Sequence, residues 1–431
     1  MKSRGSPEPK PVPPRSSNKV IRFQKGIRNN SRQASDSWLK RIGPGLVTGA
    51  ANLDPSAIVT ATVAGAVFSY SLLWVVVLCV PFLLTIFSVS GRIGTETRHG
   101  LLEILRYHYG RRVSVTAALI VIVINMAVVI ADLMAVSEMF SVILNQPRML
   151  FVAAIAFSVW YILIFHDYRK ITRALVWLSM PLYLYVASAF VVSPGLRHLI
   201  AGAVTHARFQ SDYIGNVVAL FGSMLTPYIV LWQTSSRTDR QHQPSQADSV
   251  LATVTTGALA CSIIVAAGSV LHFSQPVDLT VRQAAEALRP VVGGWGMLVF
   301  AVGIIGSGMV ALPVLVASQC YDLAQAAGWK YGLSEKPWEA KRFYMLISAA
   351  MVIATLADFV HMNPVKALYW SMILAGLLLV PMLVFIMIVS NNHMIMRTAN
   401  TRWQNIWLGL TTASTAVVAA VYVWQLLIAR R

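Results

Sequence analysis

The sequence predicts an all-α integral membrane protein with about eleven transmembrane helices, two of them interrupted near the middle. Of its 431 residues, 56% are hydrophobic and 12% are charged, whereas a soluble domain carries roughly 25% charged residues. The apolar residues fall in long blocks, close to the about 20 residues that a helix needs to cross the hydrocarbon core. Two of these blocks contain a proline beside a polar residue, at Asp54-Pro55 and at Thr226-Pro227.

The candidate spans follow the apolar blocks along the chain. Their approximate bounds are 43–68, 71–90, 113–142, 149–166, 174–193, 214–234, 249–273, 291–319, 343–360, 366–390 and 405–428. The interrupted spans are the first and the sixth, so each opens a group of five helices. This order predicts four parts: a tail (1–40), a first repeat (41–200), a second repeat (201–392), and helix 11 with the C-terminus (393–431).

The basic residues predict the orientation of the chain. Segment 1–40 is polar, basic and rich in proline, and it cannot bury enough apolar surface to fold alone. We interpret it as a disordered cytoplasmic tail in contact with anionic lipid. With the N-terminus inside, 27 of the 35 Lys and Arg residues lie on cytoplasmic segments and 8 on outer ones, as the preference of positive charge for cytoplasmic loops requires. We therefore expect a bacterial inner-membrane protein with its N-terminus in the cytoplasm and its C-terminus outside.

Composition and motifs exclude several classes of function. The net charge of +18 lies between the apolar blocks, so we expect the lipid bilayer as a partner and no nucleic acid. The sequence has no Walker lysine loop or other nucleotide fingerprint, and no HExxH zinc spacing. The odd set of three cysteines, Cys79, Cys261 and Cys320, implies no disulfide framework. We expect neither an enzyme nor a bound cofactor.

The two prolines point to a binding site at membrane depth. Proline lacks an N–H and disturbs the preceding turn, so both spans should break there. Broken backbone is tolerated in a membrane where protein surrounds it or where it lines a cavity, and paired broken helices indicate a transporter's site. Asp54 adds a carboxylate that costs at least ~2.5–3.5 kcal/mol at the bilayer centre. No Lys or Arg lies inside an apolar block to pair with it, and its oxygens suit a hard divalent cation.

Three segments resemble the NRAMP divalent metal transporters. RIGPGLVTGAANLDPSA resembles the family's first helix, whose hallmark is Asp-Pro-Gly-Asn, and FGSMLTPYIVLWQTSS resembles its sixth helix, whose hallmark is Met-Pro-His. SNNHMIMRTANTRWQNIWLGL resembles the loop after helix ten and the start of helix eleven. The resemblance covers about residues 40–428. It implies a LeuT-type 5+5 inverted repeat with discontinuous helices 1 and 6, and secondary transport of divalent metal ions.

The departures from the family's motifs bear on the choice of ion. The family holds its ion with an aspartate, an asparagine, a backbone carbonyl and a methionine sulfur, and the resemblance places Asp54, Ala57, Ser223 and Thr226 at these positions. Loss of the thioether removes a preference for transition metals over Mg²⁺, and loss of the asparagine widens the pocket. Mg²⁺ usually keeps several waters and binds through one or two carboxylates. The pattern resembles the NRAMP-related magnesium transporter branch and predicts partly hydrated Mg²⁺, with Mn²⁺ also carried.

Proton coupling is expected to be weak or absent. The family's histidine after the sixth-helix proline is Tyr228 here. Of the acidic pair in the third helix, Asp132 is kept, while the position of the second acid is Ala135 and Glu138 lies one turn further on. Gln233 follows the second break and is a candidate contact for the outer waters of a hydrated ion.

Weaker candidates and alternative functions complete the sequence interpretation. We expect Asp358 and His361, at an outer helix end, to face water, and Glu103, on a cytoplasmic linker, to be solvated or locally paired. One alternative is a proton-coupled Mn²⁺/Fe²⁺ transporter of the usual NRAMP type. Two further alternatives are a transporter of amino acids or small organic solutes, and a metal sensor or other membrane protein that does not transport.

Overall fold

The computed structural model describes residues 53–165, 177–192, 195–205, 211–236, 246–271, 279–333, 335–360 and 362–429, and within these ranges the regular secondary structure is helical. The main helices are α1 (Pro55–Phe68), α2 (Leu73–Thr97), α3 (Leu101–Tyr109), α4 (Arg111–Leu144), α5 (Arg148–Phe165), α6 (Leu184–Val192), α7 (Leu196–Thr205), α8 (Ser211–Met224), α9 (Pro227–Ser236), α10 (Gln246–Val270), α11 (Gly296–Ala327), α12 (Lys341–Ala357), α13 (Pro364–Asn391) and α14 (Arg402–Ala429). A 3₁₀ turn, Met180–Tyr183, precedes α6, and two short helices, Val281–Ala285 and Arg289–Val292, precede α11.

Each apolar block of the sequence contains at least one of these helices. In the described part of the chain, 7 helices are long and apolar enough to cross a membrane, or up to 8 if a pair bent by 106° counts as one span. Of the remaining spans, the sixth is divided into α8, with 14 residues, and α9, with 10, whereas α12 is a single helix of 17 residues. The part of the first span upstream of α1 and the tail 1–40 lie outside the described residues. The boundaries between the repeats stay predictions.

The linker between the second and third spans is an amphipathic helix that the sequence interpretation did not anticipate. One face of α3 buries Leu101, Leu102, Ile104 and Leu105. On the same helix Glu103 is locally paired, since it lies 3.1 Å from the ring nitrogen of His99 and accepts a 3.1 Å hydrogen bond from a tyrosine hydroxyl of the α11–α12 loop. This linker therefore packs against the protein.

Close helix packing places the start of α1 near the junction of α8 and α9. The helix α4 packs along α11, α1 packs against α10, and α8 packs against α13. In the α8–α13 contact Gly222 and Gly376 face each other's helix, and a methyl group at Gly222 would overlap the carbonyl oxygen of Met372. Glycine is required there because any side chain would hold the two backbones apart. The start of α1 and the α8–α9 junction are thereby held in the interior beside α4.

A candidate cation site at two helix breaks

Asp54 caps the N-terminus of α1. Its backbone is extended (φ −70°, ψ 167°), and its carboxylate Oδ1 accepts a 2.7 Å hydrogen bond from the backbone N–H of Ala57. Aspartate is favoured at this position because it satisfies an otherwise free N–H of the first turn, and Pro55 is favoured next because its missing N–H is not needed there. The helix N-terminus stabilises the negative charge. Asp54 is 2% exposed, so this short local motif holds a carboxylate in the protein interior.

The second break lies between α8 and α9 and faces Asp54. Leu225 and Thr226 are non-helical, as the proline at position 227 predicts. The hydroxyl of Tyr228, in the first turn of α9, lies 3.5 Å from Asp54 Oδ2, at the outer limit of a hydrogen bond. The Thr226 side chain is 1% exposed and close to the Tyr228 hydroxyl, but its oxygen has no hydrogen-bond partner of normal geometry in the described structure. The start of α1 and the α8–α9 break therefore present oxygen atoms to one interior region.

Asp132 joins this region from α4. Its side chain is fully buried, and its Oδ1 accepts a 2.6 Å hydrogen bond from the hydroxyl of Ser56. Ser56 is the second residue of α1, so the first turn of this helix contacts both Asp54 and Asp132. The other carboxylate oxygen of Asp132, Oδ2, has no hydrogen-bond partner among the residues that the structure describes. The two carboxylates are also close enough to interact electrostatically.

The charge of this region is not balanced by a basic residue. In the described parts of the chain, the ion pairs involve other acids, and no Lys or Arg pairs with Asp54 or Asp132. A buried ion without a partner costs several kcal/mol, so a cation is the natural complement of this site. No described group of three or more His, Cys, Asp or Glu side chains could hold a metal ion. The available donors are carboxylate and hydroxyl oxygens, which suit a hard cation that keeps part of its water.

The other positions assigned as ligands contribute backbone atoms. Ala57 is buried and gives its N–H to Asp54, so its methyl side chain leaves space and offers no ligand. The Ser223 hydroxyl donates a 3.1 Å hydrogen bond to the carbonyl of Leu220. The backbone carbonyl of Ser223 would normally accept from the N–H four residues on, but that residue is Pro227, which has no N–H. The second break therefore leaves a carbonyl oxygen of Ser223 without its helical donor.

Glu138, one of the residues proposed to lie near the ion, has a different partner. Glu138 lies further along α4, and its Oε2 is 3.8 Å from Nη1 of Arg148. The side chain of Gln233 lies outside the described part of the structure, as does His361. The expectation that Asp358 faces water is wrong: its side chain is buried, and its Oδ1 lies 2.8 Å from Nη2 of Arg148. The cause is that Arg148, at the start of α5, supplies the charge that allows this acid to be buried.

The sequence interpretation did not identify Ser56 as a functional residue. Ser56 lies within the first-helix motif but has no assigned role there, and Asp132 is considered only as an acid of the third span. Because these two residues are 76 positions apart, no local spacing links them. The one feature of the sequence that could have indicated a role for Ser56 is its hydroxyl group, which follows Asp54-Pro55 directly and lies in the first turn of a buried helix.

The capped start of α1, the α8–α9 break and the buried site between them fit an integral membrane protein of the LeuT-type fold, which the family resemblance implies. Two solved structures share this architecture. The manganese transporter of Eremococcus coleocola aligns with a TM-score of 0.69 and 16% identity, covering 91% of this chain and 87% of that one. The structure of MhsT in complex with L-phenylalanine aligns with a TM-score of 0.55 and 13% identity, covering 90% of this chain and 98% of that one. At these identities the likeness establishes the fold alone.

The chain belongs to the Nramp family. The family profile described as "Natural resistance-associated macrophage protein-like" matches residues 45–425, which confirms the resemblance inferred from the three motifs. "Divalent metal cation transporter MntH" of Klebsiella pneumoniae subsp. pneumoniae is 25% identical over 414 residues, covering 92% of this chain and 96% of that protein. "Metal transporter NRAT1" of Oryza sativa subsp. japonica is 27% identical over 298 residues; the match covers 63% of this chain but only 54% of the rice protein.

Proposed function

We propose that this protein carries divalent cations across a bacterial inner membrane, with partly hydrated Mg²⁺ as the favoured substrate and Mn²⁺ also carried. It acts as a secondary transporter, with its N-terminus in the cytoplasm and its C-terminus outside, and not as an enzyme. Membership of the Nramp family and relatives named for divalent metal transport support the substrate class. The choice of Mg²⁺ rests on the donor atoms of this chain.

The observation that carries the proposal is a pair of buried carboxylates with no basic partner among the described residues. Asp54 and Asp132 each give one oxygen to the first turn of α1, where Ala57 and Ser56 are the donors. Each keeps its second oxygen free of a strong hydrogen bond. One doubly charged ion would neutralise both acids, whereas a monovalent ion would leave one negative charge in the interior.

The donors support a hard, hydrated ion over a tightly ligated transition metal. Thr226 offers a hydroxyl with no hydrogen-bond partner in the described structure, where the family places a thioether. Ala57 offers no side-chain ligand, so the space beside Asp54 is available to water. Mg²⁺ gives up its water reluctantly and is usually held through a few carboxylate contacts. Oxygen-only coordination with retained water therefore favours Mg²⁺ and still admits Mn²⁺.

The same residues support weak or absent proton coupling. Tyr228 occupies the position of the family's histidine, and a phenol does not exchange protons near neutral pH as imidazole does. Asp132 is held by Ser56, and the nearest further acid on its helix, Glu138, contacts Arg148. These residues offer no continuous chain of proton carriers along the described part of α4.

Flux into liposomes tests the proposal. Purified protein is reconstituted, and uptake of Mg²⁺, Mn²⁺ and Ca²⁺ is measured with internal pH recorded alongside. We expect Asp54→Ala to abolish uptake of Mg²⁺ and Mn²⁺, because the ion loses its central carboxylate. Glu286→Gln is the matched control, since Glu286 is an exposed acid paired with Arg289 at 3.2 Å, and its uptake should equal that of the wild type.

Each alternative function gives a different result in this assay. Undiminished uptake by Asp54→Ala would refute the assigned site, and a wild type that excludes Mg²⁺ would refute the hard-ion assignment. Acidification of the lumen in step with Mn²⁺ entry would indicate a proton-coupled transporter. Inhibition by amino acids would indicate an organic substrate, and metal binding without flux would indicate a sensor.

A further inference from the structure

A stripe of buried polar side chains runs along α11, away from the two-carboxylate site. Gln319, Asp322 and Gln325 follow one another at three-residue spacing, so they lie on neighbouring turns of one helix face. Their exposed fractions are 3%, 2% and 2%. Ordinary core positions of a membrane helix carry small or apolar residues. Three polar side chains at successive three-residue steps, one of them an acid, therefore require a physical reason.

The oxygen atoms of this stripe have few hydrogen-bond donors among the described residues. In the described structure, Oε1 of Gln319 and Oε1 of Gln325 have no hydrogen-bond partner. Asp322 accepts one weak contact, a 3.5 Å hydrogen bond from the hydroxyl of Ser318, and no described Lys or Arg pairs with it. Buried acceptors without donors are costly, and a buried carboxylate without a counterion is more so. A cation passing along the stripe would be stabilised by the Asp322 carboxylate and by the amide oxygens on the turns before and after it, whereas an apolar or anionic ligand would satisfy none of these acceptors.

The stripe connects with the site through α4, which packs along α11. Nε2 of Gln319 lies 3.7 Å from the sulfur of Met126. The neighbouring residue, Asn125, is fully buried, and neither polar atom of its side chain has a hydrogen-bond partner in the described structure. Asn125 precedes Asp132 by two helical turns, which places both on nearly the same face of α4. Buried polar side chains with atoms that lack hydrogen-bond partners therefore lie along α4 and α11 between Asp132 and Gln319.

The far end of the stripe meets α9, the helix that begins at the second break. Nε2 of Gln325 donates a 3.1 Å hydrogen bond to the hydroxyl of Ser235 near the end of α9. The neighbouring Thr234 hydroxyl accepts a 3.4 Å hydrogen bond from the backbone N–H of Leu101. Both contacts are single hydrogen bonds between neutral groups, each worth about 0.5–1.5 kcal/mol in an ordinary case. They hold the end of α9 against α11 and α3, and they are weak enough to open during a transport cycle.

We propose that Asp322, together with the amide oxygens of Gln319 and Gln325, forms a second divalent-cation site on the route from the two-carboxylate site to the membrane face where α11 ends. Its ligand is partly hydrated Mg²⁺ in transit. With one carboxylate in place of two, it holds the ion more weakly than the central site. This inference rests on the proposed transport function, and on the proposed orientation the site lies on the cytoplasmic side.

Neutralising Asp322 tests the second site. Asp322→Asn keeps the size of the side chain but removes its charge, and we expect the maximal Mg²⁺ flux to fall by about 10–100-fold, the usual cost of losing a supporting metal contact. The Mg²⁺ affinity of the detergent-solubilised protein should stay within about threefold, because the central site is unchanged. Asp322→Glu retains the charge and should recover most of the flux. Glu286→Gln again serves as the control for loss of an acid at the surface.

A thiol-accessibility measurement tests the route itself. Gln325→Cys is made in a background in which Cys79, Cys261 and Cys320 are replaced by alanine, and a cationic thiol reagent is applied from each side. We expect labelling from the cytoplasmic side alone, and we expect Mg²⁺ to slow it several-fold. Labelling that Mg²⁺ leaves unchanged, or the absence of labelling in transport-active protein, would overturn the proposed route even if Asp322→Asn fails to fold.

The two proposals can fail separately. Full flux in Asp322→Asn beside a transport-dead Asp54→Ala would reject the second site and leave the central site intact. If Asp54→Ala takes up Mg²⁺ normally, the role of the central site in the proposed function is rejected, independently of the result for Asp322→Asn. A third outcome also counts against the second site: Mg²⁺ flux is lost in Asp322→Asn and Asp322→Glu does not restore it. This result would mean that the position requires the shape of aspartate for packing, and not its negative charge.

Discussion

Replacing Ser56 by alanine tests whether the first turn of α1 holds both acids ready for the ion. The Ser56 hydroxyl is the hydrogen-bond donor to Asp132 Oδ1, at 2.6 Å, and Oδ2 has no partner in the described structure. Ser56→Ala would therefore remove the hydroxyl donor of Asp132 and leave only the backbone N–H of residue 56 beside the carboxylate. A hydrogen bond to a charged group contributes about 1.5–3 kcal/mol, and about 1.4 kcal/mol is a tenfold change in affinity. We expect the affinity for Mg²⁺ to fall by about 10–100-fold.

Ion-induced thermal stabilisation gives a direct measure of this loss. An ion present at 100 times its dissociation constant stabilises the folded protein by about 2.7 kcal/mol. If Ser56→Ala raises the dissociation constant tenfold, the same ion concentration should stabilise by only about 1.4 kcal/mol. The Mg²⁺ concentration for half-maximal liposome uptake should rise in parallel.

Two control variants separate the role of the site from general packing. Ser56→Thr keeps a hydroxyl at the position and should retain most of the stabilisation. Ser137→Ala removes a buried hydroxyl from α4 that donates a 2.7 Å hydrogen bond to the Leu133 carbonyl, and it should leave the response to Mg²⁺ unchanged. The reasoning is refuted if Ser56→Ala responds to Mg²⁺ as the wild type does, or if Ser137→Ala loses an equal part of the response.

Three further predictions concern selectivity and stability. Thr226→Met introduces a thioether at the second break and should lower Mg²⁺ uptake relative to Mn²⁺ in competition flux; an unchanged ratio would contradict the hard-ion assignment. Gly222→Ala should lower the free energy of unfolding by about 1–3 kcal/mol, because its methyl group would overlap a carbonyl oxygen of α13. Gly409→Ala is the control: a methyl group there would meet nothing within 4 Å, so its melting temperature should equal that of the wild type. Arg148→Gln leaves the buried Asp358 without its ion pair and should lower the free energy of unfolding by about 3 kcal/mol, as measured by thermal denaturation. An unchanged melting temperature would show that the burial of Asp358 does not depend on Arg148.

The helices and their breaks could be predicted because their causes are local. A block of about 20 apolar residues requires a helix across the bilayer. Pro227 favours the second break, since the carbonyl four residues earlier loses its donor. Proline alone does not decide it, because Pro81, Pro313 and Pro381 lie inside continuous helices. Asp54 and Pro55 likewise form an N-terminal cap through their own backbone and the next turn. The amphipathic helix α3 was missed although its pattern, LLEILRYHY, is also local.

The contacts that complete the candidate site could not be predicted because they join distant parts of the chain. Ser56 meets Asp132 only through the packing of α1 beside α4. In the same way, Asp358 was expected in water because it stands at a helix end, and only the fold shows that Arg148 reaches it. Whether an acid can be buried depends on which charged groups lie near it in the folded protein, and the distance between residues along the chain does not reveal this.

The proposed route implies an order of affinities that suits transport. A site that conducts ions must attract them strongly enough to enter and weakly enough to leave. At the centre, Asp54 and Asp132 offer two negative charges on a rigid helix start, so a divalent ion is neutralised there. Along α11, Asp322 offers one charge and the flanking glutamines offer neutral oxygens, so the ion meets a weaker site before it leaves. An ion that keeps its water can exchange one set of oxygens for the next without losing its whole hydration shell. For this reason a hydrated Mg²⁺ ion fits the route better than an ion that sheds its water to bind.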